Sequence, residues 1–361
     1  MNTVSSLRAG FAKQNITPDY TVHLTGYGDD EARLSEGVLD DIYLTCIAVT
    51  DGDNTVLMYT SDLLALGEPL PDLARAQVAA ATGIPGEHMF FSATHNHSGP
   101  LPFPDRLDEN DRESTIRFRG ELLAAAVSTA QAALADRAPA TMLSTVQEVH
   151  GMNFIRHYEM EDGSYAGSNF GNWTLTPTGR HATEIDPRMV LIKFAREGRP
   201  DIVLMNWQAH NDNVKQVGYN LISSSYVGHV RAKFERDTGL HFAFFMGASG
   251  NQNPSSKIAS EHHGLDYIAY GERMAQHAID ALPNLTPVTG KGIRTKRVMF
   301  EYEIDHSWDH MLDQANEVFH VWKTVGKKEG DALGKTYGFS SSYQSRDIRK
   351  RAAMQPPIFW S

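Results

Sequence analysis

The chain has 361 residues, 41% of them hydrophobic and 21% charged, a balance that gives a globular protein a substantial core. Its formal charge of −11 argues against a nucleic-acid binder. The basic run Arg346-Asp347-Ile348-Arg349-Lys350-Arg351 is short, is interrupted by an acid, and reads as a solvated helix face.

No apolar run approaches the roughly 20 residues needed to span a bilayer. The opening Met1-Asn2-Thr3-Val4-Ser5-Ser6-Leu7-Arg8 lacks the basic and apolar regions of a secretory signal. Cys46 is the only cysteine, which rules out an internal disulfide and leads to the expectation of a cytoplasmic protein.

Strands are expected at Tyr43–Val49, with Cys46 as a small buried hydrophobe, and at Val56–Tyr59, joined by the turn Asp51-Gly52-Asp53-Asn54. A helix then opens at Pro71, with Asp72 in its first turn, and closes at Gly83. The short strand Met89–Phe91 runs into Ser92-Ala93-Thr94-His95-Asn96-His97-Ser98-Gly99-Pro100. Two imidazoles spaced i, i+2 on extended backbone point to one side. Imidazole is the commonest protein ligand for zinc and the usual proton carrier near pH 7.

A second helix is expected from Ser114 to Asp136, with Ile116, Leu122, Ala125, Val127 and Ala130 as its apolar stripe, followed by a strand at Thr141–Val149. The stretch from His157 to His181 has no period and suits a lid or substrate-binding loop. Strands resume at Met189–Phe194 and at Ile202–Trp207, the latter running straight into Gln208-Ala209-His210. A helix at Tyr226–Arg236 precedes the strand His241–Met246, which ends in Gly247-Ala248-Ser249-Gly250-Asn251-Gln252-Asn253-Pro254. The helix Leu265–Leu282, a strand at Arg294–Glu303 and a helical region from Trp308 complete the pattern. This rhythm predicts an α/β fold, with α+β as the alternative: a mixed sheet flanked by helices, its site at the C-terminal ends of strands. With no repeat and no linker, residues 1–361 read as a single domain.

Three apolar strands end in polar loops, at His95/His97, at His210 and at Gly250–Asn253. Strands running parallel in one sheet would bring those ends to one crevice. His95 and His210 are the candidate metal ligands, for Zn2+. His97 could donate to a developing oxyanion or pass a proton to a leaving amine, and Arg156 could polarise a carbonyl or hold a carboxylate. Gly250 and Asn253 could offer N–H and amide groups to a substrate. Asp62, Glu184, Asp186 and Asp212 are equal candidates for a further ligand.

In order along the chain, several motifs resemble those of the neutral/alkaline, non-lysosomal ceramidase family in its shorter bacterial form. They are Gly10…Asn15-Ile16-Thr17-Pro18, Gly26-Tyr27-Gly28, Asp40-Asp41-Ile42-Tyr43, Ser61-Asp62-Leu63-Leu64, Thr94-His95-Asn96-His97-Ser98-Gly99-Pro100, Asn153-Phe154-Ile155-Arg156 and Asn206-Trp207-Gln208-Ala209-His210 with Leu221-Ile222-Ser223. The resemblance implies a zinc-dependent amidase cleaving an N-acyl bond. It makes His95 and His210 zinc ligands, and His97 and Arg156 the groups that polarise the scissile carbonyl.

Three departures qualify this. Asn253 stands where the family has a serine, which excludes an acyl-serine there, and Ser225 stands where it has an aspartate. No counterpart is found for the family's C-terminal Glu and Tyr ligands, and the immunoglobulin-like domain is expected to be missing. The leading expectation is therefore a metal-dependent amidohydrolase acting on a small N-acyl amide or lipid, with a homo-oligomer open. The alternatives are a metal-depleted binding protein and a zinc-dependent esterase.

Overall fold

A computed structural model of the chain describes residues 7–27, 33–52, 54–107, 109, 112–161, 163, 165–167, 180–181, 183–215, 217–255, 266–290, 292–298, 300–339, 341–353 and 358–360. The chain divides into two compact units, Met1–Thr295 and Lys296–Ser361.

The first unit is built on a nine-stranded mixed sheet. Its strands are β1 (Arg8–Asn15), β2 (Tyr43–Thr50), β3 (Thr55–Ser61), β4 (Met89–Ala93), β5 (Ala138–Glu148), β6 (Arg188–Arg196), β7 (Ile202–Trp207), β8 (His241–Met246) and β9 (Thr286–Pro287). The order is β8-β7-β6-β5-β1-β2-β3-β4, with β9 beside β5. The pairs β3–β4 and β7–β8 are parallel; the remaining ladders are antiparallel.

The joint between β1 and β5 is narrow: only Arg8↔Pro139 and Ala9↔Ala138 pair there. From Ala140 onward β5 pairs instead with β6. A strand that changes partners in this way turns a corner, and the two half-sheets fold face to face. The side-chain alternation of each strand then serves two cores. In β2, Leu44, Cys46 and Ala48 pack under α1 (Leu70–Thr82) and α2 (Glu113–Ala135), while Ile47 and Val49 face the interior between the half-sheets. In β7, Ile202 and Leu204 join that same interior, and Val203, Met205 and Trp207 face α3 (Ser225–Thr238) and α4 (Tyr267–Ala281). The layers are therefore helix, half-sheet, half-sheet, helix. Gly271 lets α4 lie against α3, because a Cβ there would sit 2.5 Å from the Tyr226 carbonyl oxygen.

The fold-over brings the outer strands together. Thr60 Oγ1 donates to the Phe244 carbonyl at 2.6 Å, and the Phe90 and Phe245 rings stack at 6.0 Å. The expectation that the three site-bearing strands run parallel in one sheet holds only for β7 and β8, which pair in parallel. β4 lies at one edge of the ladder and β7 and β8 at the other, and closure of the sandwich makes their ends meet.

The elements otherwise follow the hydrophobic pattern closely, with two differences. Ile116, expected in the buried stripe of α2, is half exposed, and Phe118 and Leu123 take the core positions beside Leu122. The strand expected at Arg294–Glu303 is confined to Phe300–Tyr302, since residues 293–298 have no regular structure. The His157–His181 lid falls largely outside the described residues; its described parts, His157–Glu159, Tyr165–Gly167 and Arg180–His181, pair as three short strands.

The second unit packs α5 (Leu312–Thr324), α6 (Lys327–Thr336) and α7 (Ser342–Ala353) around Ala315, Val318, Phe339 and Ile348. Asp331 ties α6 to α7, accepting from Lys327 and from the backbone and hydroxyl of Ser342. Burial opposes its charge, but those bonds outweigh the penalty and bring its pKa down to about 2. Among the described residues, no helix is long and apolar enough to cross a membrane.

Candidate metal centre

His95, His97 and His210 meet at the ends of β4 and β7. Their nearest ring nitrogens all lie within 4.8 Å of one another, and they form a group that could hold a metal ion. The His95 and His210 Nε2 atoms are 3.1 Å apart. Each ring's other nitrogen is tied to backbone: His95 Nδ1 to the Leu64 carbonyl at 3.0 Å, and His210 Nδ1 to the Ser249 carbonyl at 2.9 Å. A carbonyl accepts only, so in both rings the proton sits on Nδ1 and Nε2 carries a lone pair. Two lone pairs facing each other repel unless a cation lies between them. The donor set fits a borderline metal such as zinc, and the carbonyl-anchored tautomer is the one found in metal-binding imidazoles.

Electrostatics point the same way. Burial is the main cause that lowers both imidazole pKa values, that of His210 to about 4, with Arg156 and, for His210, His95 adding to the effect. The Asp212 carboxylate opposes this in both rings. The histidines are thus neutral donors at pH 7, beside one buried negative charge.

The pair does not converge for the reason given by the spacing. β4 ends at Ala93, and His95 adopts φ +56°, a left-handed conformation that costs a non-glycine residue energy. Buried Asn96 holds this turn. Its amide donates to the Asp62 carbonyl at 2.9 Å and the Ser223 carbonyl at 2.7 Å, and its oxygen accepts from Ser98 N–H at 3.0 Å. His97 N–H donates to the Asn211 carbonyl at 3.0 Å, which links the two histidine loops directly. Gly26 is needed opposite: at φ +124°, a Cβ there would lie 2.5 Å from His97 Cα.

Arg156 is placed by a small ladder. Gln252–Pro254 pairs antiparallel with Asn153–Ile155, and Arg156 N–H donates to the Asn251 carbonyl at 3.0 Å. Asn153 anchors that ladder, its amide reaching the carbonyls of Asp186 and Gln208 and the Gln252 side chain. Asn253 is wholly buried in it, whereas Gly250 lies exposed at the turn. Ser225 opens α3, where its hydroxyl donates to Asn213 at 2.6 Å.

The four acidic candidates separate. Asp62 is buried and paired with Arg231 at 2.7 Å, Asp186 pairs with Arg188 and Glu184 is exposed. Asp212 alone of the four is buried with its charge acting on both the His95 and His210 rings, although it is not in the 4.8 Å group. Sequence reasoning missed Tyr219 and Arg33, and met Tyr27 only as part of the Gly26-Tyr27-Gly28 motif, without a role. The fully buried Arg33 donates to the carbonyls of His97 and Tyr219 and packs against both tyrosine rings, 4.7 and 4.6 Å from their centres.

Two solved structures share this architecture. A neutral ceramidase from Pseudomonas aeruginosa superposes with a TM-score of 0.59 over 76% of this chain and 44% of its own, at 18% identity. A ceramidase complexed with C2 gives 0.61 over 79% and 45%, at 16% identity. The fold is ceramidase-like. The chain spans less than half the length of either structure, and at these identities the likeness to the ceramidases is one of fold. No family model matches the chain, and no curated protein matches it significantly.

Proposed function

We propose that the chain is a zinc-dependent amidohydrolase that cleaves an N-acyl bond in a small amide or lipid. One observation carries the reading: two imidazoles, part-buried His95 and buried His210, each anchored through Nδ1 to a carbonyl, face each other through Nε2 at 3.1 Å. His95 and His210 hold the ion. A zinc ion bound there supplies Lewis acidity, polarising a carbonyl and making hydroxide accessible near neutral pH.

The rest of the chemistry belongs to the chain. Arg156, whose charge both imidazoles feel, orients the acyl carbonyl and stabilises the oxyanion that develops on it. His97 sits with its ring centre 4.9 Å from that of His95 and 5.0 Å from that of His210, and it protonates the departing amine. Burial excludes bulk water and strengthens each of these interactions. Asn253 offers no nucleophile, which is consistent with attack by water.

The test is a screen of N-acyl amides against the matching esters, with added zinc, on the wild type and His95→Ala. Amide hydrolysis that is lost in His95→Ala supports the reading. Activity that survives the substitution removes it, and cleavage of esters alone would move the activity to an esterase.

A further inference from the structure

The positive charge around the site suggests more about the substrate, on the premise of the amide-cleaving reading above. Lys215 is exposed, and its Nζ lies 5.4 Å from the centre of the Tyr27 ring and 5.5 Å from that of Tyr219. The Tyr27 ring is itself 5.3 Å from that of His97, and its hydroxyl donates to the Asp212 carbonyl at 3.1 Å. The ammonium therefore sits one aromatic ring away from the three imidazoles. Arg33, buried against the same two tyrosines, fixes that ring pair to the His97 backbone.

Lys215 forms no ion pair among the described residues. Among the described residues, the charged groups named near the three rings are Arg33, Arg156, Lys215 and the Asp212 carboxylate. Of the three cations Arg33 is buried, whereas Lys215 is exposed on the tyrosine pair. An exposed ammonium at that place favours an anionic group beside it and disfavours a cationic amine.

We propose that Lys215 is a specificity-determining residue that receives an acidic group, carboxylate or phosphate monoester, on the amine half of an N-acyl substrate. The acid lies a few bonds from the scissile amide: Arg156 serves the carbonyl, and the exposed lysine receives the outer end. The tyrosine pair supplies the wall along which the intervening atoms lie.

Two matched probe pairs test this. N-lauroyl-4-aminobutyrate is compared with N-lauroyl-4-aminobutanol, and N-lauroyl-phosphoethanolamine with N-lauroyl-ethanolamine. Each is measured for turnover and, by calorimetry, for binding, on the wild type, Lys215→Arg and Lys215→Glu at low salt. The expected result is a wild-type preference for one or both acids. That ratio should fall by roughly fivefold in Lys215→Glu, since exposed ion pairs are weak, and should be largely kept in Lys215→Arg. It should also shrink as salt rises. The better acid of the two pairs identifies carboxylate or phosphate.

Turnover without acid preference, or a preference unchanged in Lys215→Glu, overturns this proposal and leaves the amidase standing. Lys215-dependent binding of the acid without turnover does the reverse. Absence of both binding and turnover removes both.

Discussion

At the level of single residues, the site rests on the orientation of its side chains. His97 is argued to act on the substrate and not on the ion. His97→Gln should therefore keep bound zinc while lowering kcat by a factor on the order of 100 to 10,000, the usual share of one general acid. Loss of the metal with the imidazole would instead make it a ligand. Asn96 was legible only as the spacer between two histidines, yet it makes three buried hydrogen bonds that hold the strained His95 turn. Asn96→Ala should cost about 1–3 kcal/mol in urea unfolding, since it leaves two carbonyls without their donor. Gly26→Ala should be similarly harmful, because the added methyl meets His97 backbone and side chain together. Wild-type stability and activity in that variant would show that the 23–27 segment yields easily.

The elements show where local sequence reading suffices and where it stops. Helices with a clear 3.6-residue pattern and strands with a compact apolar run were legible to within a few residues, as at His241–Met246. The convergence of His95 and His210 was legible too, because both follow apolar runs ending in polar loops. What could not be read was the corner in β5, where a strand changes partner after two residue pairs. That event depends on long-range pairing and has no local pattern. For the same reason Arg33 and Tyr219, remote in sequence from the histidine motif, gave no signal.

The corner is braced by Asp136, which accepts from Phe11 N–H at 3.0 Å and pairs with Arg196 and Arg199. Burial opposes its charge, but the Arg196 bond and the others outweigh it and hold the carboxyl below its ordinary 3.8. A depressed folded-state pKa stabilises above the unfolded value, and that contribution disappears as the pH falls through the folded one. Asp136→Asn should lower stability at pH 7 by about 2 kcal/mol and flatten the acid limb of the stability curve below about pH 4. An acid limb identical to the wild type would remove Asp136 from this role.

The molecule as a whole couples its two half-sheets through the site. The buried Arg231–Asp62 pair joins α3 to the end of β3, and the two histidine loops are bonded to each other. A ligand bridging His95 and His210 therefore staples the sandwich at its open end. Zinc at a hundred times its Kd should add about 2.7 kcal/mol to stability, or about 4–5 °C in the melting temperature of the first unit. Chelation should reverse the gain, and His210→Ala should not show it.

Zinc content, measured by native mass spectrometry and elemental analysis on the wild type, His95→Ala and His210→Ala, bears most directly on this reading. The expected result is about one zinc per wild-type chain and none in either folded variant. Wild-type protein that stays metal-free in excess zinc, or variants that bind as much as it does, would contradict a shared ion between the two imidazoles.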